Sequence, residues 1–281
     1  MEQGAYQFAS IMKNKLKTLF PDWCADYEKS KYSTILTDDL DSLMTCAIER
    51  HVKSNDINYF YNFNELYVSD RSDKRKPIGC DLALVKGRSW CNHVVRIKKD
   101  DTVNPQTANI NALLKVSREN YTKKYAGSAA LTAWSYYDLP LPKTREGQLL
   151  LMSIDSAYLG HYSPYFKSTH NAYLDMMGFP QLIDLLNNTT VKEFKDIKQK
   201  YNTYSKIKLD PHGNLTTQLN LQEIQKLFDF EIALPERQFQ LRNKFEYVKD
   251  ENITNTDSKD GIPNLISFAL VYKNTASYTK I

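Results

Sequence analysis

Tyr32-Ser33-Thr34-Ile35-Leu36-Thr37-Asp38-Asp39-Leu40-Asp41-Ser42 is the stretch that decides the fold. A β-prone run, Tyr32 to Leu36, stops abruptly at three carboxylates. Leu43 to Val52 then reads as a helix, with Leu43, Ala47 and Ile48 on one face. Strand, acidic loop and helix in that order open a βαβ arrangement. A D-x-D loop ahead of a helix also serves N-capping and turn chemistry, so the loop alone does not define a site.

Outward from it the pattern repeats. Ile57 to Val68 predicts a second strand and its connection, Arg71 to Lys76 a polar loop, Ile78 to Val85 a third strand carrying Asp81, and Trp90 to Ile97 a fourth carrying Asn92 and His93. Asn109 to Tyr125 and Ala129 to Tyr137 read as helices, and Gly147 to Ile154 is an apolar run ending at Asp155. The expected fold is α/β: a mostly parallel sheet with flanking helices over residues 32–165, preceded by an N-terminal helix in 1–31 (Ala5 to Phe20, stopped by Pro21). A smaller α+β C-terminal substrate-recognition region is expected over 166–281, with helices at Thr190 to Tyr204 and Leu221 to Phe230 and a late strand at Ile262 to Tyr272.

In open parallel sheets the ligand lies beyond the carboxyl ends of the strands. Asp39, Asp41, Asp81, His93 and Asp155 each fall at or near such an end in this reading, so groups from four distant segments converge on one rim. Like charges placed together repel unless a cation joins them. Oxygen ligands with an imidazole suit Mn²⁺ or Mg²⁺, and two such ions about 3.5–4 Å apart activate water against a phosphoryl group.

Four segments taken together resemble the DHH phosphoesterase superfamily: Leu36-Thr37-Asp38-Asp39-Leu40-Asp41-Ser42, Gly79-Cys80-Asp81-Leu82, Trp90-Cys91-Asn92-His93-Val94, and Leu151-Met152-Ser153-Ile154-Asp155-Ser156-Ala157-Tyr158, with Tyr125-Ala126-Gly127-Ser128-Ala129 similar to the helix start before the fourth. The resemblance spans roughly residues 32–165. It implies Asp39, Asp41, Asp81, His93 and Asp155 as ligands of one or two Mn²⁺ (or Mg²⁺), and Asp81, Asn92 and His93 as catalytic groups. The third motif departs from the family's Asp-His-His. In one register Asn92 replaces the ligand histidine; shifted by one, His93 keeps that role and Val94 loses a substrate contact. No Gly-Gly-His type motif, usual in the nucleic-acid-degrading members, follows.

Asp38, Lys98, Lys124, Ser128 and Tyr158 are the candidate substrate contacts, the lysines for phosphate and Tyr158 for stacking on a base. Arg96, Lys99 and Lys123 read either as further phosphate contacts or as solvated surface, His161 and Tyr162 either as stacking or as packing residues, and Asn104, Asn109 and Asn111 as groups that orient ligands. The expected activity is hydrolysis of a nucleotide, cyclic dinucleotide or short oligonucleotide by a Mn-dependent phosphodiesterase. The alternative is a catalytically weakened binding protein that sequesters a nucleotide or inhibits a host protein.

The chain has 281 residues, 42% hydrophobic and 25% charged, ordinary globular composition. No apolar run reaches the ~18 residues of a membrane span, and the mixed N-terminus is no secretory signal, so a cytoplasmic location without membrane partners is expected. Cys24, Cys46, Cys80 and Cys91 form no C-x-x-C pair, which argues against structural zinc. A formal charge of +4 permits a nucleotide or oligonucleotide partner but does not demand one. Frequent Tyr and Asn with scarce Gly suggest an AT-rich coding source, a bacterium or its phage. A homodimer and a host protein stand as further partner readings.

Overall fold

The computed structural model describes residues 12–281. It has the expected α/β architecture, a mostly parallel sheet with flanking helices and two small antiparallel sheets. A short α1 (Asn14–Lys17) precedes β1 (Tyr32–Leu36) and α2 (Leu40–Lys53). Phe8 and Ile11, two of the apolar positions read as an N-terminal helix, lie outside the described residues. Next come β2 (Ile57–Tyr61), β3 (Glu65–Val68), β4 (Lys76–Cys80), β5 (Arg88–Trp90), β6 (Thr107–Ala108) and α3 (Ile110–Leu113). Helices α4 (Ala129–Tyr136), α5 (Arg145–Ser153), α6 (Lys167–Met176), α7 (Pro180–Asn187) and α8 (Val191–Lys200) follow. The chain ends with β7 (Lys208–Leu209), β8 (Leu215–Thr216), α9 (Leu221–Gln225), β9 (Gln240–Lys244), β10 (Glu246–Asp250), β11 (Leu265–Tyr272) and β12 (Thr275–Lys280).

The main sheet runs β6-β5-β4-β1-β2-β3-β9. The first five are parallel; β3 turns back on β2, and β9 pairs antiparallel with β3. All five residues of β1 are buried, as a central parallel strand covered on both faces requires. Helix α2 packs across it, and its buried face includes Leu43, Met44, Ala47 and Ile48.

Several element expectations change: the third strand ends at Cys80 and the fourth at Trp90, so Asp81, Asn92 and His93 lie on the loops beyond them, and the helix expected over 109–125 is confined to Ile110–Leu113. The second expected strand is a hairpin, because Asn62 Oδ1 accepts the Asn64 and Glu65 amides and folds the chain over. The apolar run from Gly147 is helix α5 (Arg145–Ser153), with Ile154 at its C-terminal cap. Thr144 caps it, its hydroxyl accepting the Gly147 amide, and Leu149, Leu150, Leu151 and Met152 are buried around it. A run buried on every side shows no period that separates helix from strand. Asp155 therefore reaches the rim from a helix end.

Residues 166–281 share the architecture of the rest. Leu174, Leu182, Leu186 and Phe194 from α6, α7 and α8 lie in the same core cluster as Leu36, Ile78 and Trp90, and β9 extends the main sheet. The sheet β10-β12-β11 closes over the carboxyl ends of β4 and β5 through bridges Leu84–Ser267 and Val94–Leu270. Among the described residues no helix is long and apolar enough to cross a membrane.

Candidate metal centre

Ser42 locks the acidic loop in place. Its hydroxyl accepts the Thr37 amide at 2.7 Å and donates to the Cys80 carbonyl at 2.7 Å, tying the exit of β1 to the end of β4. Asp39 caps α2 by accepting the Ser42 amide. Asp41 sits in the first turn of α2, and its two carboxylate oxygens accept the amides of Ala129 and Ala130, at 2.8 and 2.7 Å, at the start of α4. Asp81 follows β4 and Asp155 follows α5, both in left-handed backbone with φ of 50° and 51°. Such strain outside glycine persists where the surroundings enforce it, commonly at ligand sites.

One carboxylate oxygen from each of Asp41, Asp81 and Asp155 falls within 4.8 Å of the others. Oxygens around an octahedral Mg²⁺ at about 2.1 Å stand about 3 Å apart when adjacent and about 4 Å apart across it, so small shifts suffice. The buried Asp81 Oδ1 has no hydrogen-bond partner, and neither has the buried Asn92 Oδ1. An orphaned buried acceptor costs about 1–3 kcal/mol, a cost that a bound cation would remove. The amide of Asn92 donates to Asp155 Oδ2 at 3.1 Å and to the Gly127 carbonyl at 2.7 Å. His93 Nδ1 is 3.7 Å from Asp81 Oδ1, in contact range but beyond a hydrogen bond. Both registers of the third motif thus touch the cluster: Asn92 at Asp155, His93 at Asp81.

The electrostatics describe a site short of positive charge. Burial, then Asp155 and Asp39, raise the Asp41 carboxyl well above the usual range despite its two amide donors. Burial, then Asp41, Asp155 and Asp39, do the same to Asp81. Burial and Asp155 push Asp39 up to about 6, with Lys206 opposing. Burial lowers His93, with Asp155 opposing and Lys124 adding, so at neutral pH its imidazole is uncharged and free to ligate or to accept a proton.

Lys206 escapes the sequence reading. Its Nζ lies 3.0 Å from Asp38 Oδ1 and 3.4 Å from Asp39 Oδ2. The backbone beside it is anchored, the Ile207 amide donating to the Asp38 carbonyl at 2.7 Å. Burial alone would lower this lysine, but Asp39 and Asp38 outweigh it and raise it. Asp39 is therefore engaged by Ser42 and Lys206, and the tight carboxylate group is Asp41, Asp81 and Asp155. Asp38, Asp39, Asp81, His93 and Lys206 line a cavity of about 130 Å³ roofed by β11 residues Ser267 to Ala269.

The other expected contacts divide. Lys124 borders the site, lining a cavity of about 150 Å³ with Asn92, His93 and Asp155. Lys98 does not reach it; its amide bonds Asp101 Oδ2 and its charge acts on Asp257. The Ser128 hydroxyl caps α4 by accepting the Leu131 amide, so Ser128 is a helix cap and not a substrate contact. Tyr158 is buried against Phe194, rings stacked 4.1 Å apart, and offers no face to a base. The asparagines brace backbone: Asn111 bonds the Asn92 and Tyr125 carbonyls, Asn109 the His93 carbonyl, and Asn104 those of Leu84 and Gly87.

Comparison with protein-family models, with curated proteins and with solved structures returns no match for this chain. Three carboxylate oxygens with an amide and a neutral imidazole at the margin fit a hard divalent cation, Mg²⁺ or Mn²⁺, better than zinc, which favours thiolate and imidazole.

Proposed function

We propose that this protein is a divalent-metal-dependent phosphoesterase acting on a nucleotide, cyclic dinucleotide or short oligonucleotide, with Asp41, Asp81 and Asp155 holding Mn²⁺ or Mg²⁺. The observation that carries the reading is the convergence of these carboxylates from α2, β4 and α5, with a buried Asp81 oxygen left unpaired. When bound, such an ion polarises a phosphoryl oxygen and lowers the pKa of a water.

The chain's own residues supply the rest. Lys124 on one side and Lys206 on the other present ammonium groups to a phosphate entering between the two small cavities. His93, neutral and lining both, accepts a proton from the attacking water at Nε2, the ring nitrogen remote from Asp81. Asn92 orients Asp155, and Ser42 holds Asp81 against the acidic loop.

The test is a panel of phosphodiesters and phosphomonoesters with Mn²⁺, wild type against Asp81→Asn. Asparagine tolerates left-handed backbone, so the variant keeps the local fold while losing the charge. Wild-type turnover should depend on the metal and fall at least about 100-fold in the variant, beyond the loss typical of an outer partner of a metal ligand. A second reading, a binding protein on the same scaffold, is favoured by Asn92 in the third motif and by Lys206 on Asp38 and Asp39. Metal bound without turnover of any ester would select it.

A further inference from the structure

Beside the acidic centre lies a much larger cavity, about 720 Å³. It is walled by the Tyr121 to Gly127 segment, the turns after α5, one side of α6 and the last residues of β11. It joins the centre directly, because Lys124, Tyr125, Ala126, Gly127, Asp155 and Val271 line both it and the smaller cavity that holds Asn92 and His93. The large cavity lies within the about 300–1,000 Å³ typical of sites for small organic molecules, and the small ones, about 130 and 150 Å³, fall below it.

Its walls state what it takes. Tyr121, Tyr125, Phe166, Tyr173 and Tyr272 contribute rings, with Leu131 and Leu174 between them. Tyr125 and Tyr173 pack on each other at 5.4 Å, with their hydroxyls spent on the Ser128 and Lys123 carbonyls, so these two buried rings form the inner wall. Gly127 permits this, since a Cβ there would stand 2.3–2.6 Å from the Tyr125 ring. Phe166 and Tyr272 are exposed at the rim. Among the lining residues Lys124 is the one lysine, and there is no arginine. A polyanionic strand would need several cations along its path.

We infer that this cavity is the specificity pocket of the centre, receiving the flat, largely apolar ring of a phosphoester that carries no second phosphate there. The inference rests on the phosphoesterase reading and narrows it to mononucleotide-like esters or the terminal residue of a short oligonucleotide. One side of the bond sits at Asp155 and Lys124; the ring stacks beyond them.

The experiment is calorimetric binding to the full chain with Mn²⁺, using adenosine 5′-monophosphate and ribose 5-phosphate, which differ by the base alone. The expected result is tighter binding of the nucleotide by about tenfold, the factor that one stacked base contributes. The double variant Phe166→Ala, Tyr272→Ala removes exposed rings and so spares the fold. It should lose about that factor for the nucleotide and much less for ribose 5-phosphate. Equal affinities in the wild type, or equal losses in the variant, would overturn the pocket. Mn²⁺ titration of the same samples reads the metal separately. An absence of Mn²⁺ uptake sinks the phosphoesterase reading, while the nucleotide-to-sugar ratio still decides the pocket.

Discussion

At the scale of the residue, Lys206 does most to set this centre apart from a two-metal site. Its ammonium stands against Asp38 and Asp39, where a second divalent ion would otherwise offset their charge. Its side chain is about half exposed, at 48%, so each contact is weakly held by itself, and the anchored Ile207 amide keeps the charge nearby. The expected stoichiometry is therefore one Mn²⁺ per chain. Replacing Lys206 by Met removes the charge and keeps the length, freeing Asp38 and Asp39 for a second ion. Electron paramagnetic resonance of free Mn²⁺ during titration should give one equivalent bound for the wild type and a second, weaker equivalent for Lys206→Met. Two tight equivalents in the wild type would show that the lysine yields to metal.

At the scale of the element, helix α4 begins where the site is built. Ser128 caps it, and the next two amides hold Asp41, so the loop before α4 and the first turn of α2 position one another. Ser128→Ala should cost about 1 kcal/mol, a fall in Tm of about 2–4 °C for a chain of this size, measured by thermal unfolding. A change near zero would mean that Asp41 alone holds the start of α4. This element also shows what the sequence made legible. The β1-loop-α2 unit was readable because five β-prone residues stop at carboxylates and a helical period begins. Asp41, Asp81 and Asp155 were readable through their order along the chain. The hydroxyl of Ser128 was misread, since a cap and a ligand contact use the same residue type, and the Leu131 amide that decides between them is invisible in sequence. Tyr158 was misread for a similar reason: its partner Phe194 is supplied by α8, and stacking across 36 positions leaves no local period. Lys206 lies 168 positions from Asp38 and was hidden by that separation. The apolar run of α5 concealed its own class, although Thr144 ahead of it was a usable start signal.

At the scale of the whole molecule, the fold gathers carboxylates that the unfolded chain keeps apart, so the proposed ion binding would be linked to stability. Asp39, Asp41 and Asp81 all titrate above the ordinary aspartate range in the metal-free fold, Asp39 at about 6 and the other two well above normal. A carboxyl raised in the folded state holds protons that the unfolded chain has already released. Its contribution to stability is complete below the unfolded value of about 3.9 and is lost as pH rises through the folded value. From this cluster alone the metal-free protein should therefore be less stable at about pH 7.5 than at about pH 5. Metal needs the ionised carboxylates, so it replaces those protons, and its stabilisation should grow over the same interval. Thermal unfolding with chelator and with saturating Mn²⁺, at about pH 5, 6 and 7.5, measures this directly. The gap in Tm between the two series should widen with pH, because Asp41 and Asp81, both raised well above the ordinary aspartate range, must give up their protons to the ion. The single variant Asp81→Asn should flatten the Mn²⁺ response while lessening the pH-dependent loss in the chelated series, because it removes one buried charge that the others must bear. A gap that stays constant across the range would mean that these carboxylates do not exchange protons for the ion, and that the cluster is held together by its amide donors alone.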